Sequence, residues 1–346
     1  MTVYIGVDFH ARKQTISYLT TEDGEIQQLE LQHERDDIRA FYAQFQGQVV
    51  VGFESSGYAA WFEELLEELG CEIWIGHAAE IRRLARRRQK NDRRDADLIL
   101  ALMVRGDFPR LHRYSPESRQ VLQQLRYRQR LVKMRTIVLN SLTFMASSRG
   151  VSLRTKLKTQ RGQERLRQLP FPGLLAQQRD ELYQLLLVLT EKIETAERWL
   201  AQKAEQDPQV QRLMTHPGIG VLTGLCLAHT LESVDRFANP RKVTAYVGFD
   251  PVEDSSGERQ RIGCISKQGS RLLRFLLVEA GQVAVRRDKD LDQVYRRVQL
   301  RRNHAKAKVA VGRRLLVRAF IMLRDEIDYA EFQRRGVAAR SSRRTA

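Results

Sequence analysis

VYIGVD at residues 3–8 is a short apolar run ending on an acid, and VVVGFE at residues 49–54 repeats the pattern. Apolar runs of this length, rich in β-branched residues, read as strands covered on both faces. Next to the first lie QTISYLTT and EIQQLELQ, set apart by HARK and EDGE, so the opening reads as a three-strand meander. DDIRAFYAQF then places Ile38, Phe41, Tyr42 and Phe45 at helical spacing. After VVVGFE, AAWFEELLEELG reads as a helix closed by Gly70, and CEIWIG as a fifth strand. Arg82 to Met103 reads as one helix or two, basic at the start and apolar at the end.

Three meander strands followed by helix, strand, helix, strand and helix is the order of an α/β RNase H-like (RuvC-like) sheet, predicted over residues 1–115. That order gives four acids a meaning. Asp8 lies in the first strand and Glu54 at the end of the fourth, strands that neighbour each other in such a sheet. Asp92 and Asp95 follow in KNDRRDADLIL, three apart and about 300° round a helix, so they share a face. Asp97 lies about 200° further round and is left out of the site. Cleaving a phosphodiester requires an in-line nucleophile, a stabilised leaving oxygen and neutralised phosphoryl charge. Mg²⁺ ions on hard carboxylate oxygens meet the last two needs, which makes these four residues the candidate metal ligands. Each acid taken alone has a bland alternative: a turn residue, or for Asp92 a helix N-cap. The first strand also resembles the phosphate strand of actin-like kinases, but no second phosphate loop follows, and GIGVLTG lacks the Gly-Lys-Ser/Thr of a P-loop.

Composition points to the partner. Lys and Arg number 59 against 42 Asp and Glu, a net charge of +17, which favours polyphosphate partners through counterion release. Eight of the basic residues fall between Arg82 and Arg94, directly before the proposed metal site. Arg82, Arg83, Arg86, Arg87, Arg88 and Lys90 are therefore candidates to guide a nucleic-acid backbone; a solvated helix face is the plain alternative. The three cysteines, Cys71, Cys226 and Cys264, lack metal-ligand spacing and read as buried residues of a reducing compartment. With no apolar run of membrane-spanning length and no secretory segment after Met1, a soluble cytoplasmic protein acting at the nucleoid is expected, without a membrane partner.

Beyond Pro116 the strand signal ends. Ser118 to Ser147 reads as a long basic helix and Ala176 to Ala204 as another, interrupted by LKTQRGQERLRQLPFPG. The Leu182, Leu185, Leu186, Leu189, Ile193, Ala196 and Leu200 stripe has near-heptad spacing, so residues 116–206 are predicted to form a helical coiled-coil arm, a hairpin or a dimer contact. Residues 207–330 read as a mainly α domain, and 331–346 as a basic disordered tail. Gly218 and Gly220 in HPGIGVLTG resemble a helix-hairpin-helix turn that lets backbone N–H groups approach a phosphate. Lys306 and Lys308 lead into a helix whose Arg313, Arg314 and Arg318 form a basic face, a second nucleic-acid candidate.

GVDFHARK, FESSGY, KNDRRDADLI, HPGIGVLTG, RFANPRKVTAYVGFDP, SSG and ISKQGSRLLR occur in the order seen in DEDD transposases of insertion-sequence family 110, which the chain resembles from Val3 to about Tyr329. Asp8, Glu54, Asp92 and Asp95 match that family's four acids. The resemblance also implies a catalytic serine in a Ser-Gly step after the Gly248–Pro251 turn, which is Ser256, with Ser255 one register away. It implies an RNA-guided recombinase: a noncoding bridge RNA pairs with donor and target double-stranded DNA, and a homodimer assembles into a tetramer. Serine of one subunit then meets carboxylates of another. Arg259, Arg261 and Lys267 flank Ser256 and could steady phosphoryl charge. On the residues alone, Ser-Ser-Gly is an ordinary turn. A RuvC-like junction nuclease using water, or a non-catalytic nucleic-acid scaffold, remains the alternative.

Overall fold

A computed structural model describes residues 1–84, 91–153, 157, 159–253 and 262–342. The chain separates into two compact units, Met1–Arg113 and Tyr114–Ala346.

The first unit is built on β1 (Thr2–Phe9), β2 (Lys13–Thr20), β3 (Gln27–Gln32), β4 (Gln48–Glu54) and β5 (Glu72–Gly76), ordered β3-β2-β1-β4-β5. β2 runs antiparallel to β1 and β3, whereas β4 is parallel to both β1 and β5. This mixed sheet is consistent with the RNase H-like expectation. Side chains alternate across a strand, so one face of β1 and β4 carries Val3, Ile5, Val7, Val49, Val51 and Phe53. Helices α1 (Arg35–Ala43) and α2 (Ala60–Glu68) cover that face, and Ile38, Tyr42, Phe62, Leu65 and Leu66 bury into it. On the opposite face Val50 and Trp74 pack with Ile99, Leu102 and Met103 of α4 (Asp92–Val104) and with Ile81 of α3 (Ala78–Leu84). Among the described residues the stretch after β5 thus contributes two helices, α3 and α4, and burial of the apolar C-terminal half of α4 pins it to the sheet.

In the second unit α5 (Pro116–Ser147) and α7 (Leu174–Gln206) are the two long helices. Ser115 caps α5 by accepting a hydrogen bond from the Ser118 amide, and Pro116 sits at its first turn, where its missing N–H is no loss. The helices run antiparallel: Val121, Leu122 and Leu125 share a core with Leu200 and Ala204, while Val138, Leu142 and Ala146 meet Leu186, Leu189 and Ile193 further out. The interruption between them is itself helical at α6 (Gln160–Gln168), where Leu166 is buried in the outer cluster. Next come α8 (Pro208–Met214), α9 (Val221–Leu231), α10 (Pro240–Val247), α11 (Arg271–Ala284), α12 (Lys289–Arg301) and α13 (His304–Arg324), with a hairpin of β6 (Pro251–Glu253) and β7 (Ile262–Ile265). Residues Val210, Leu213, Leu225, Leu273, Leu277, Leu315 and Phe320 form the main core together with the inner ends of α5 and α7. The arm and the C-terminal part share this core, in place of the expected division at residue 206.

Three expectations change here. Of the tail expected to be disordered, residues 331–342 lie in α14 (Tyr329–Ser342), and 343–346 lie outside the described residues. Cys264 is exposed and Cys71 is half-buried, so only Cys226 fits the buried reading. Arg318 is not on a basic surface: its guanidinium pairs with Asp288, which also accepts from Tyr329 Oη at 2.5 Å and caps α12 through the Leu291 amide at 2.9 Å. A buried carboxylate with these partners needs its counterion, and Arg318 supplies it.

Candidate active site

Two glycines determine where the acids meet. Gly6 and Asp8 lie two apart on β1, and Gly52 and Glu54 two apart on β4, so all four face the α4 side of the sheet. A Cβ on Gly6 would lie 2.6 Å from the Leu100 nitrogen and 2.7 Å from the Ala96 carbonyl oxygen, and one on Gly52 2.2 Å from Met103 Sδ. Helix α4 therefore rides almost backbone to backbone over β1. Its first turn, with Asp92 and Asp95, falls beside the strand end that carries Asp8. Asn91 caps the helix by accepting from the Arg93 amide at 3.1 Å, which leaves the Asp92 carboxylate available for the site. Asp97 turns away, as expected: its Oδ1 accepts from Ser17 Oγ at 2.6 Å and Gln28 Nε2 at 2.5 Å.

The tightest constellation is Asp8, Asp92 and His10, a residue that sequence reasoning passed over. His10 Nε2 is 3.1 Å from Asp8 Oδ2 and 3.5 Å from Asp92 Oδ2, and Lys13 Nζ is 3.4 Å from the same Asp92 oxygen. Burial raises the Asp8 pKa above the usual carboxylate range; His10 opposes this, while the charges of Asp95 and Asp92 push it further up. Carboxylates that raise one another's pKa stand to gain from a shared cation. One aspartate oxygen from each of Asp8 and Asp92, together with the imidazole nitrogen, offers three ligand atoms within 4.8 Å of one another. The donor set thus fits a divalent ion, with Asp95 on the same helical turn. Glu54 lies one residue beyond the Val7–Phe53 register pair but is held by Arg82, whose Nη2 is 2.9 Å from its Oε1. Arg82 is therefore engaged by a site acid as well as belonging to the basic stretch.

The other predicted contacts are distributed over both units. In the first unit Arg83 is exposed; Arg86, Arg87, Arg88 and Lys90 lie outside the described residues. In the second, Ser255, Ser256, Arg259 and Arg261 also lie outside the described residues, between β6 and β7, while Lys267 is exposed just past β7. Lys306 is exposed at the start of α13 and Lys308 is half-buried. A Cβ on Gly218 would meet the Ala280 carbonyl oxygen at 2.4 Å, so that glycine serves close packing of the hairpin on α11; Gly220 is exposed at the N-terminus of α9. Among the described residues no helix is long and apolar enough to cross a membrane.

An acidic cluster at the end of a mixed α/β sheet, in a chain of net charge +17, is the arrangement expected of a metal-dependent enzyme acting on nucleic acid. Residues 5–146 match the DEDD transposase model of the IS110 group, and residues 210–296 match the model described as "Transposase IS116/IS110/IS902 family". A probable family 20 transposase of Pseudomonas aeruginosa is 28% identical over 265 residues, covering 74% of this chain and 76% of its own. The transposase for insertion sequence element IS1328 of Yersinia enterocolitica is 30% identical over 247 residues, 69% of this chain and 71% of its own. That for IS1111A of Coxiella burnetii is 30% identical over 211 residues, 58% and 56% of the two. The chain belongs to the IS110 family of DEDD transposases, enzymes that cut DNA and transfer its strands.

Proposed function

We propose that the chain is an RNA-guided, site-specific DNA recombinase of its insertion sequence, in which Ser256 attacks the DNA and Asp8, Glu54, Asp92 and Asp95 form the metal-dependent half of the site. The observation that carries the metal half is the convergence of Asp8 and Asp92 on one point at the lip of the sheet. Magnesium bound there would neutralise phosphoryl charge and polarise the scissile phosphate. The Ser256 oxygen forms a bond to phosphorus and the bond to the 3′ oxygen breaks. The serine proton ends on the leaving 3′ hydroxyl, and the 5′ phosphate stays on the serine for rejoining. Holding the phosphoserine conserves bond energy that hydrolysis would lose. Lys267, Arg259 and Arg261 are the cations placed by sequence to steady the phosphoryl oxygens.

Guidance by a bridge RNA, with donor and target duplexes as the other partners, rests on the family resemblance and on the +17 charge. Assembly as a dimer and then a tetramer is supported by an apolar stripe left exposed on α5: Tyr127, Met134, Ile137 and Phe144, at near-heptad spacing. Replacing Ser256 with Ala tests the chemistry on a plasmid recombination substrate supplied with the element's noncoding RNA. Loss of strand exchange with DNA and RNA binding retained is expected. Exchange or cleavage surviving the change would favour a RuvC-like nuclease that uses water.

A further inference from the structure

Asp8, Glu54, Asp92 and Asp95 offer oxygen alone, and His10 adds a nitrogen beside two of them. His10 follows β1 at the start of the turn to β2, its amide bonded to the Lys13 carbonyl at 3.0 Å, so its position is set by the meander. Its Nε2 sits 3.1 Å from one carboxylate oxygen and 3.5 Å from another, on residues that come from a strand and from a helix far apart in sequence. Neighbouring ligands about 2.1 Å from a common ion lie roughly 3 Å apart, the edge of an octahedron. The His10–Asp8 spacing is close to that edge and the His10–Asp92 spacing is 3.5 Å, with all three ligand atoms within 4.8 Å of one another. Lys13 Nζ is 2.8 Å from Glu30 Oε2 and 3.4 Å from Asp92 Oδ2, whereas His10 Nε2 faces both Asp8 and Asp92. The His10, Asp8 and Asp92 side chains are 34%, 15% and 37% exposed, open enough for an ion and a phosphate to enter.

We propose that His10 is a metal ligand of the DEDD site, completing with Asp8 and Asp92 a two-oxygen, one-nitrogen set that binds Mn²⁺ more tightly than Mg²⁺. The inference rests on the metal-binding reading of Asp8 and Asp92 and deepens it. Magnesium gains little from imidazole, whereas first-row transition ions accept nitrogen readily, so the histidine acts as a specificity determinant for the ion.

Pulsed electron paramagnetic resonance of Mn²⁺ added to the full chain provides the test, paired with calorimetric titration of Mn²⁺ and Mg²⁺. The wild type should show nitrogen modulation from a bound imidazole, altered when histidine is labelled with ¹⁵N, a result that needs no variant to fold. His10→Gln should abolish the modulation and weaken Mn²⁺ binding about tenfold, with Mg²⁺ affinity changed less than about threefold. Bound manganese without nitrogen modulation, modulation retained in His10→Gln, or equal weakening of both ions would overturn the proposal and reduce His10 to an orienting group. Asp8→Asn separates the two layers. If that change leaves Mn²⁺ binding untouched, the carboxylate reading itself fails, and the histidine proposal with it.

Discussion

Gly6 of β1 faces the backbone of α4 so closely that a Cβ there would stand 2.7 Å from the carbonyl oxygen of Ala96. That contact is what brings the first turn of α4 alongside the end of β1. Asp8, two residues on and on the same face, meets Asp92 because of it. A methyl at residue 6 meets backbone atoms, which cannot turn aside, so the helix itself must shift.

Gly6→Ala should therefore cost roughly 1–3 kcal/mol in overpacking. It should also lower divalent-ion affinity and strand cleavage by far more than that stability loss explains. Denaturant unfolding and metal titration on the same variant check this; unchanged metal binding would mean that α4 does not set the site.

Arg82 and Glu54 form an exposed pair, since the Arg82 side chain is 76% accessible, and such pairs add little to stability. The guanidinium does, however, compete with a metal ion for the carboxylate. Arg82→Ala should leave the melting temperature nearly unchanged while raising Mg²⁺ or Mn²⁺ affinity a few-fold. Calorimetry that finds no gain would place Glu54 outside the ion's reach.

His216 provides a pH test in the second unit. Burial holds its imidazole down at about 4, despite a bond between Nδ1 and the Pro217 carbonyl at 2.9 Å. In the unfolded chain the group titrates near 6.5. Between those values the unfolded state binds the extra proton. The stabilising increment is thus complete above about pH 6.5 and is lost as pH falls toward 4, by about 3 kcal/mol at most. Urea midpoints measured from pH 7 to pH 4.5 should fall in the wild type and fall less steeply in His216→Gln. Parallel curves would show that other groups carry the acid sensitivity.

Phe144 and Ile137 are 76% and 66% exposed on α5, an unusual place for such side chains on a helix otherwise rich in charge. If this stripe pairs two copies, Ile137→Lys together with Phe144→Glu should shift sedimentation from dimer to monomer without loss of helicity. A wild type that sediments as a monomer at micromolar concentration would remove the stripe from the assembly.

The elements that carry the candidate acids were legible in the sequence. Apolar runs ending in Asp8 and Glu54, and the three-residue spacing of Asp92 and Asp95, follow from the periods of strand and helix, which are local properties. The Gly-x-acid step shared by Gly6–Asp8 and Gly52–Glu54 was legible too, although its meaning was not, because a glycine in a strand does not announce which helix will press on it. His10 in the turn after β1 and Lys13 at the start of β2 were hidden for the same reason: a polar residue at a strand end looks like any other until the helix docks. Arg318 misled, since a basic residue at helical spacing reads as surface, and only the fold sets it against Asp288.

What the chain determined by itself was the sequence of elements and the residue types at their ends, through side-chain alternation, helical periodicity and net charge. What only the tertiary structure decided was convergence. Asp8 and Asp92 lie 84 positions apart, and their oxygens share one imidazole because α4 packs across β1 at a glycine. Distances between such groups depend on how closely two backbones approach, and that is set by packing over the whole unit rather than by any local pattern.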